Sequence, residues 1–460
     1  MQTGRRGFLG GVGATLIASR PVQADVVDSV VRAANASVHI APAAYDPTEV
    51  WAYDGSIPGP GLRVKQGTRI RRRFENRLDV PSSIHWHGIR IENRMDGVAG
   101  LTQAPVPPGG DFDYDFVVPD AGTYWYHPHA STLEQLGRGL SAPLIVEEAD
   151  GGPDIDADEV LVINDWRLDQ DARILDDFGN LRDASHAGRI GNYVTVNGSG
   201  EYTFGVARGD RLRLRLINAC TGRILTVGAQ GLDGWVVALD GMPLDSPEPL
   251  DRIVLAPAQR ADLLVDVTAA AGEDAFLISF ERSGGYALAV MPVAAGTRAA
   301  RPDPAPPLSP NDILPLGDLA DALLAPMRIT GGAMGGMAAA EVPGEGRLSP
   351  RALADRGLVW ALNDVAGMPE QPLARVARGA KVRIPLANET SWPHGMHLHG
   401  HHFREVLPTG YGPWRDTIML QPQSMTEIAF VADNPGKWMF HCHMLAHQAS
   451  GMMTWIEVTA

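Results

Sequence analysis

Cysteine is almost missing from this chain: 460 residues contain two, Cys220 and Cys442. At most one disulfide can form, and Cys442 has a histidine on either side, which points to a metal ligand rather than a cross-link. Cys220, in Arg215-Leu216-Ile217-Asn218-Ala219-Cys220, reads as a small buried hydrophobe. Long apolar runs are also missing. No segment reaches about 18 uninterrupted apolar residues, so none can anchor the chain across a bilayer. Positive charge is in deficit, with a formal net charge of −15. An acidic surface repels nucleic acid and anionic lipid and weakly attracts cations. Disorder is excluded for most of the chain by a composition 45% hydrophobic and 20% charged. What is plentiful is glycine (51) and proline (35) between short Val/Ile/Leu/Thr runs. That combination favours an all-β fold, and the length suggests about three domains.

The first residues read Thr3-Gly4-Arg5-Arg6-Gly7-Phe8-Leu9, followed by a small-residue apolar run and Val22-Gln23-Ala24. This order resembles a twin-arginine export leader cleaved after Ala24. The expectation is a soluble periplasmic protein, folded before it crosses the membrane by the twin-arginine machinery. Losing Arg5, Arg6 and Arg20 takes the formal charge from −15 to −18.

Three stretches align without gaps. Val64-Lys65-Gln66-Gly67 leads to Asn76, Val206-Ala207-Arg208-Gly209 to Asn218, and Val376-Ala377-Arg378-Gly379 to Asn388, with Gly and Asn nine apart each time. The residues between alternate polar and apolar, as in Arg211-Leu212-Arg213-Leu214-Arg215-Leu216, the period of a half-buried strand. Nine residues after Asn76 comes His85-Trp86-His87, and nine after Asn388 comes His397-Leu398-His399; the same offset in the middle copy lands on Val227 and Ala229. Gly122 precedes His127-Pro128-His129 by five, as Gly436 precedes His441-Cys442-His443. Copies one and three each supply two His-x-His pairs and copy two none, so copies one and three must meet around the metals. The implied division is a leader over 1–24 and units over 25–150, 151–293 and 357–460. Residues 294–356 read as a Gly/Pro/Met-rich connector.

Side chains on a strand alternate faces, so His-x-His places two imidazoles on one face about 7 Å apart. Four such pairs make a cage of eight nitrogens. Imidazole alone does not choose among Zn, Cu, Fe and Ni. The neighbouring residues do. The alternation that gathers His441 and His443 sends Cys442 the other way, towards His394, His447 and Met452. Two imidazoles, a thiolate and a weak thioether form a blue-copper site, a set poorly suited to zinc.

These motifs, His85-Trp-His87-Gly, His127-Pro-His129, His394-Gly-Met-His397-Leu-His399 and His441-Cys442-His443-x3-His447-x4-Met452, resemble those of the three-domain multicopper oxidases, the bacterial laccase-like and cuprous oxidase group. The resemblance covers the whole mature chain and implies three cupredoxin-like Greek-key β-sandwich domains. It implies four copper ions: type 1 held by His394, Cys442, His447 and Met452, and type 2 by His85 and His397. The type 3 pair would be held by His87, His127, His129, His399, His441 and His443. It implies a monomeric oxidase that removes single electrons from a small donor, passes them from Cys442 through His441 and His443, and reduces O2 to water. Asp96, in Met95-Asp96-Gly97, matches the family acid beside type 2 copper. Gln448 stands where many bacterial members carry glutamate after the type 1 histidine, which leaves the proton route open.

Met452 implies a lower type 1 potential and an easily oxidised donor. Phenols are the first expectation and Cu(I) the alternative. Met327, Met334 and Met337 could hold Cu(I), against a surface-loop reading of the same segment. His39, His186, His401 and His402 exceed the ligand count and read as ordinary polar residues. Three rival readings are weaker. A non-catalytic cupredoxin scaffold lacks the ligands present here, a nitrite reductase needs no eight-histidine cage, and a copper store needs no Cys442 bridge.

Overall fold

A computed structural model describes residues 25–282, 284–296, 301 and 303–460. The leader expected over 1–24 lies outside the described residues. The fold is all-β. Its α-helices among the described residues are Thr132–Gly137, Leu181–Ser185, Pro350–Ala354 and Leu445–Ala449, none longer than 6 residues. Among the described residues no helix is long and apolar enough to cross a membrane.

Each sequence copy folds as two facing sheets. In copy one the order Thr48–Tyr53, Val26–Val38, Arg69–Asn76, Asp111–Val117 faces the order Leu62–Lys65, Ala142–Glu147, Gly122–His127, His85–His87. Val26–Val38 runs parallel to Arg69–Asn76, and Leu62–Lys65 parallel to Ala142–Glu147, the crossovers of a Greek key. Copies two and three repeat this with Arg211–Asn218 and Lys381–Asn388 in the place of Arg69–Asn76. Residues 294–356, read from sequence as a connector, contain the strands Leu323–Leu324 and Met327–Gly331. Both pair in parallel with Lys381–Asn388 and so extend the third copy's sheet.

The repeated residues have the same duty in every copy. Asn76, Asn218 and Asn388 are at most 2% exposed, and each amide spans a corner. Nδ2 of Asn76 donates to Val80 and Val106, that of Asn218 to Arg223 and Leu255, and that of Asn388 to Trp392 and Gln421. Each Oδ1 accepts the N–H two residues on. A buried asparagine thus satisfies three backbone groups that leave the ladder where the strand ends.

One expectation changes. Lys381–Asn388 alternates in burial, but Arg211–Asn218 is buried along all eight residues. Its polar face is covered by copy one and by carboxylates: Arg213 pairs with Asp262 and Glu148, each at 2.7 Å, and Arg215 with Asp158 at 2.6 Å. Copies one and three share one continuous apolar core that includes Phe74, Trp86, Tyr126, Met396, Phe440 and Ile456, whereas copy two has its own.

Candidate metal centres

Strand register gathers the histidines. In copy one His85 lies opposite His127 and His87 opposite Trp125; in copy three His397 lies opposite His441 and Met396 opposite Cys442. The shared core of copies one and three then closes the two sets on each other. All ten histidines, Cys442 and Met452 are at most 5% exposed.

The sulfur-containing site is a triangle. Nδ1 of His394 and Nδ1 of His447 are 3.1 Å apart, and Cys442 Sγ lies 3.8 and 3.7 Å from them. The hydrogen bonds on the far side fix the tautomers. His447 Nε2–H donates to the carbonyl of His186 at 2.7 Å. The Thr390 hydroxyl donates to Asn388 Oδ1 at 2.8 Å, so at 2.9 Å it accepts from His394 Nε2–H. Both Nδ1 atoms therefore present bare lone pairs to each other, an arrangement that repels unless a cation sits between them. Burial pushes the Cys442 thiol up to about 12 against opposing backbone groups of Met444 and Gly395. A bound cation reverses that, because a coordinating thiol is deprotonated. Met452 is fully buried in the same core cluster as Cys442, and its carbonyl accepts Cys442 N–H at 3.2 Å.

The cage obeys the same logic. Nδ1 of His85, His127, His397 and His441 each donates to a carbonyl, those of Asp96, Pro128, Asp416 and Cys442, at 2.8 to 3.0 Å. His399 Nδ1 donates to the Asp96 carboxylate at 3.0 Å. The opposite nitrogens are left bare and face inward: His399 Nε2 and His441 Nε2 are 3.1 Å apart, and His127 Nε2 and His443 Nε2 3.3 Å. His85 Nε2, His87 Nδ1, His397 Nε2 and His443 Nδ1 are buried with no partner at all. Orphaned polar atoms cost about 1–3 kcal/mol each, so these four alone cost on the order of the whole stability of an ordinary domain. Metal ions would resolve that cost for His85, His87 and His397, whereas His443 turns its Nε2 inward and keeps its Nδ1 unpaired. Burial first, and then the neighbouring imidazoles, hold His127, His129, His399, His441 and His443 well below their ordinary range. They are neutral, the form that binds metal.

Two acids clamp the cage crosswise. The Asp96 carbonyl holds His85 of its own copy while its carboxylate holds His399 of copy three. The Asp416 carbonyl holds His397 of its own copy while its carboxylate meets His87 of copy one at 3.4 Å. Burial opposes ionisation of Asp416, but the Arg260 guanidinium and the two histidines outweigh it and hold the carboxyl well below the usual range.

Eleven of the twelve candidate ligands, with Asp96, thus fall into two adjoining sites, with Cys442 bonded through the chain to cage members on both sides, and Met452 packs in the same core as Cys442. Sequence reasoning missed Asp416, which lies nineteen residues after His397 with no motif around it, and the backbone role of His186. His401 packs between Phe430 and Trp438 with both ring nitrogens hydrogen-bonded, a satisfied core residue, whereas His402 bonds the Asp240 carbonyl through Nε2 and leaves its buried Nδ1 without a partner. The structure does not assemble Met327, Met334 and Met337: the first is 1% exposed in the core, the second 80% exposed, and the third packs in a separate cluster. Cys220 is free and buried in the core of copy two. A cavity of about 710 Å³ opens beside the cage, lined by His129, Glu134, Met368, Met439, Gln448 and Met453 among others.

Three family models, each described as multicopper oxidase, match residues 35–151, 157–297 and 345–460. The chain is 30% identical to the multicopper oxidase MmcO of Mycobacterium tuberculosis over 440 residues, covering 88% of this chain and 82% of that protein. It is 28% identical to copper resistance protein A of Pseudomonas syringae pv. tomato, covering 88% and 89% of the two chains. Among solved structures, the multi-copper oxidase from Pseudomonas Thermotolerans superposes with a TM-score of 0.82 at 33% identity, over 95% of this chain and 100% of that one.

Proposed function

The chain belongs to the multicopper oxidase family, and from that premise we propose that it oxidises a small phenolic or aromatic reductant one electron at a time, with four copper ions held by the twelve clustered residues. Its class is not in doubt: it is an oxidoreductase with copper as cofactor and O2 as acceptor. The observation that carries the site assignment is the set of bare, buried nitrogens converging on each centre.

His394, Cys442, His447 and Met452 would hold type 1 copper, and His85 and His397 type 2. His87, His127, His129, His399, His441 and His443 would hold the type 3 pair. Copper so bound supplies one-electron acceptance at the thiolate and four-electron reduction of O2 at the cage. The protein's own residues do the rest. Cys442 joins the two centres by peptide bonds to His441 and His443, a short route that no solvent interrupts. Thr390 and the His186 carbonyl lock the two Nδ1 lone pairs in place. Asp96, against His399, is the group positioned to hold and release a proton. Gln448 cannot ionise, and it lines the cavity that leads to His129, which suits passage of O2 and water rather than proton relay.

The domain division supported by the repeat is 25–150, 151–293 and 357–460, with 294–356 as a connector whose strands join the third unit. A leader cleaved after Ala24, twin-arginine export, a periplasmic location and a monomeric state complete the reading. A cuprous oxidase is the second reading, favoured by the name of the Pseudomonas syringae relative. The two separate in one experiment. O2 consumption by copper-loaded protein is followed with a dimethoxyphenol and with Cu(I) side by side. Faster turnover of the phenol supports the first reading and faster turnover of Cu(I) the second. Consumption with neither donor, while the blue band is present, overturns both.

A further inference from the structure

Copy two carries no candidate ligand, yet it sends a fully buried cation to the wall of the cage. Arg260, first residue of the strand Arg260–Val267, is 0% exposed. Nη1 and Nη2 donate to Asp416 Oδ1 and Oδ2 at 3.0 and 2.6 Å, a two-pronged grip on both carboxylate oxygens. Nε donates to the Thr123 carbonyl of copy one at 3.2 Å, and Nη1 also to Ala258 O at 3.1 Å. One guanidinium therefore touches all three copies.

What Asp416 does with its remaining capacity gives this grip a purpose. Its Oδ1 accepts from the Thr417 hydroxyl at 2.8 Å and meets His87 Nε2 at 3.4 Å, and its backbone carbonyl holds His397 Nδ1 at 2.9 Å. The rings of His87 and His397 stack on each other, with centroids 3.8 Å apart and planes 16° from parallel. Their opposite nitrogens, His87 Nδ1 and His397 Nε2, are two of the four orphaned cage nitrogens. Asp416 thus aims two prospective ligands from two different copies, and Arg260 aims Asp416.

The residue after His87 shows how closely this pair fits. A Cβ on Gly88 would lie 2.4 Å from Arg260 Nη2 and 2.7 Å from Asp416 Oδ2. Its φ of +86° is also one that side-chain-bearing residues rarely adopt. The glycine of the His85-Trp-His87-Gly motif is required by an ion pair contributed by the other two copies. The other acid of the clamp has no such support. Among the described residues the ion pairs of Asp96 are with His85 and His399.

We propose that Arg260 is a positioning residue for the copper at His85 and His397, acting through Asp416 on the rings of His397 and His87. The inference rests on the multicopper reading of the cage. Lysine would not replace it fully, since an ammonium is a point charge and cannot grip both carboxylate oxygens in a fixed plane.

The test compares Arg260→Met, Arg260→Lys, Asp416→Asn and a control, Arg213→Met, in full-length copper-loaded protein. Arg213 is equally buried at the junction of copies one and two, but pairs with Glu148 and Asp262. Four quantities are read: copper per chain, blue absorbance, the type 2 paramagnetic resonance signal, and the thermal midpoint of the metal-free form. Partners that orient ligands are worth about 10–100-fold in metal affinity. Arg260→Met is expected to lose type 2 copper by that factor while keeping its blue band, and Arg260→Lys to recover part of it. Arg213→Met is expected to lower the midpoint and keep both signals. A wild-type type 2 signal in Arg260→Met, or an equal loss in Arg213→Met, overturns the proposal and leaves the oxidase reading standing. If Arg260→Met does not fold, a full type 2 signal in both Arg260→Lys and Asp416→Asn overturns it. Wild-type protein that binds no copper overturns the oxidase reading, and this inference with it.

Discussion

The Nε2–H of His447 donates to the backbone carbonyl of His186 at 2.7 Å, so the exposed edge that a type 1 histidine could offer a donor is covered by copy two. His447 is 0% exposed, and the helix Leu181–Ser185 ends beside it. Replacing residues 181–185 by a short Gly-Ser link, with His186 and its carbonyl kept, should therefore raise kcat/KM for bulky phenols by about tenfold, some 1.4 kcal/mol of barrier. Steady-state kinetics across a series of phenols of increasing size checks this. An unchanged ratio between large and small phenols contradicts the covering role.

Cys442→Ser should abolish the blue band and slow donor oxidation by at least about 10²-fold, close to 3 kcal/mol of barrier. The cage does not use the sulfur, so copper bound by the eight histidines should remain. Copper analysis alongside the absorption spectrum distinguishes this from general loss of metal.

Asp96→Asn preserves a hydrogen-bonding side chain against His399 but removes a proton carrier. Positioned acid–base groups contribute about 10²–10⁴-fold, so turnover should fall by at least about 10²-fold with the blue band unaltered. Rapid-mixing reoxidation of the reduced protein by O2 locates the loss. A normal reoxidation rate in Asp96→Asn rules out the proton role.

Asn218→Ala removes a corner from the copy without ligands. Three buried backbone groups lose their partner, which should cost at least about 3 kcal/mol in chemical denaturation. Copper content and blue absorbance should stay at wild-type values.

The metal-free protein should lose stability in acid. Burial holds His401 and His447 down to about 4 in the folded chain. Unfolding frees each to take a proton near 6.5, so between these values the unfolded state binds more protons. Stability is therefore full above about 6.5 and falls as the pH drops towards 4, by about 3 kcal/mol for a group moved that far. Denaturation midpoints of metal-free protein at pH 7 and pH 4.5 should differ in that direction. Copper-loaded protein should show at least as large a difference, because a metal on the His447 nitrogen bars the folded chain from taking that proton while the unfolded chain still takes it.

The clustering of the candidate ligands was largely legible in the sequence because its geometry is local. His-x-His and His-Cys-His carry their geometry in strand alternation, and the nine-residue offset from Asn76 and Asn388 tied them to equivalent strands. Copy two was legible for the opposite reason, with Val227 where the others have histidine, buried in an apolar core. What stayed hidden depends on contacts between copies. The polar face of Arg211–Asn218 looked solvent-exposed until copy one covered it. Asp416 and Arg260 have no spacing that marks them, since they meet 156 residues apart in the chain. The His186 role belongs to a backbone carbonyl, which any residue could supply.

The central claim is that the bare nitrogens and the single buried thiol hold copper in two kinds of site. Metal-free protein reconstituted with copper and freed of excess ions tests it most directly, by copper per chain measured together with the absorption spectrum. The account predicts four copper ions per chain and an intense blue band that disappears in Cys442→Ser. One ion or none, or four ions without the band, would contradict it.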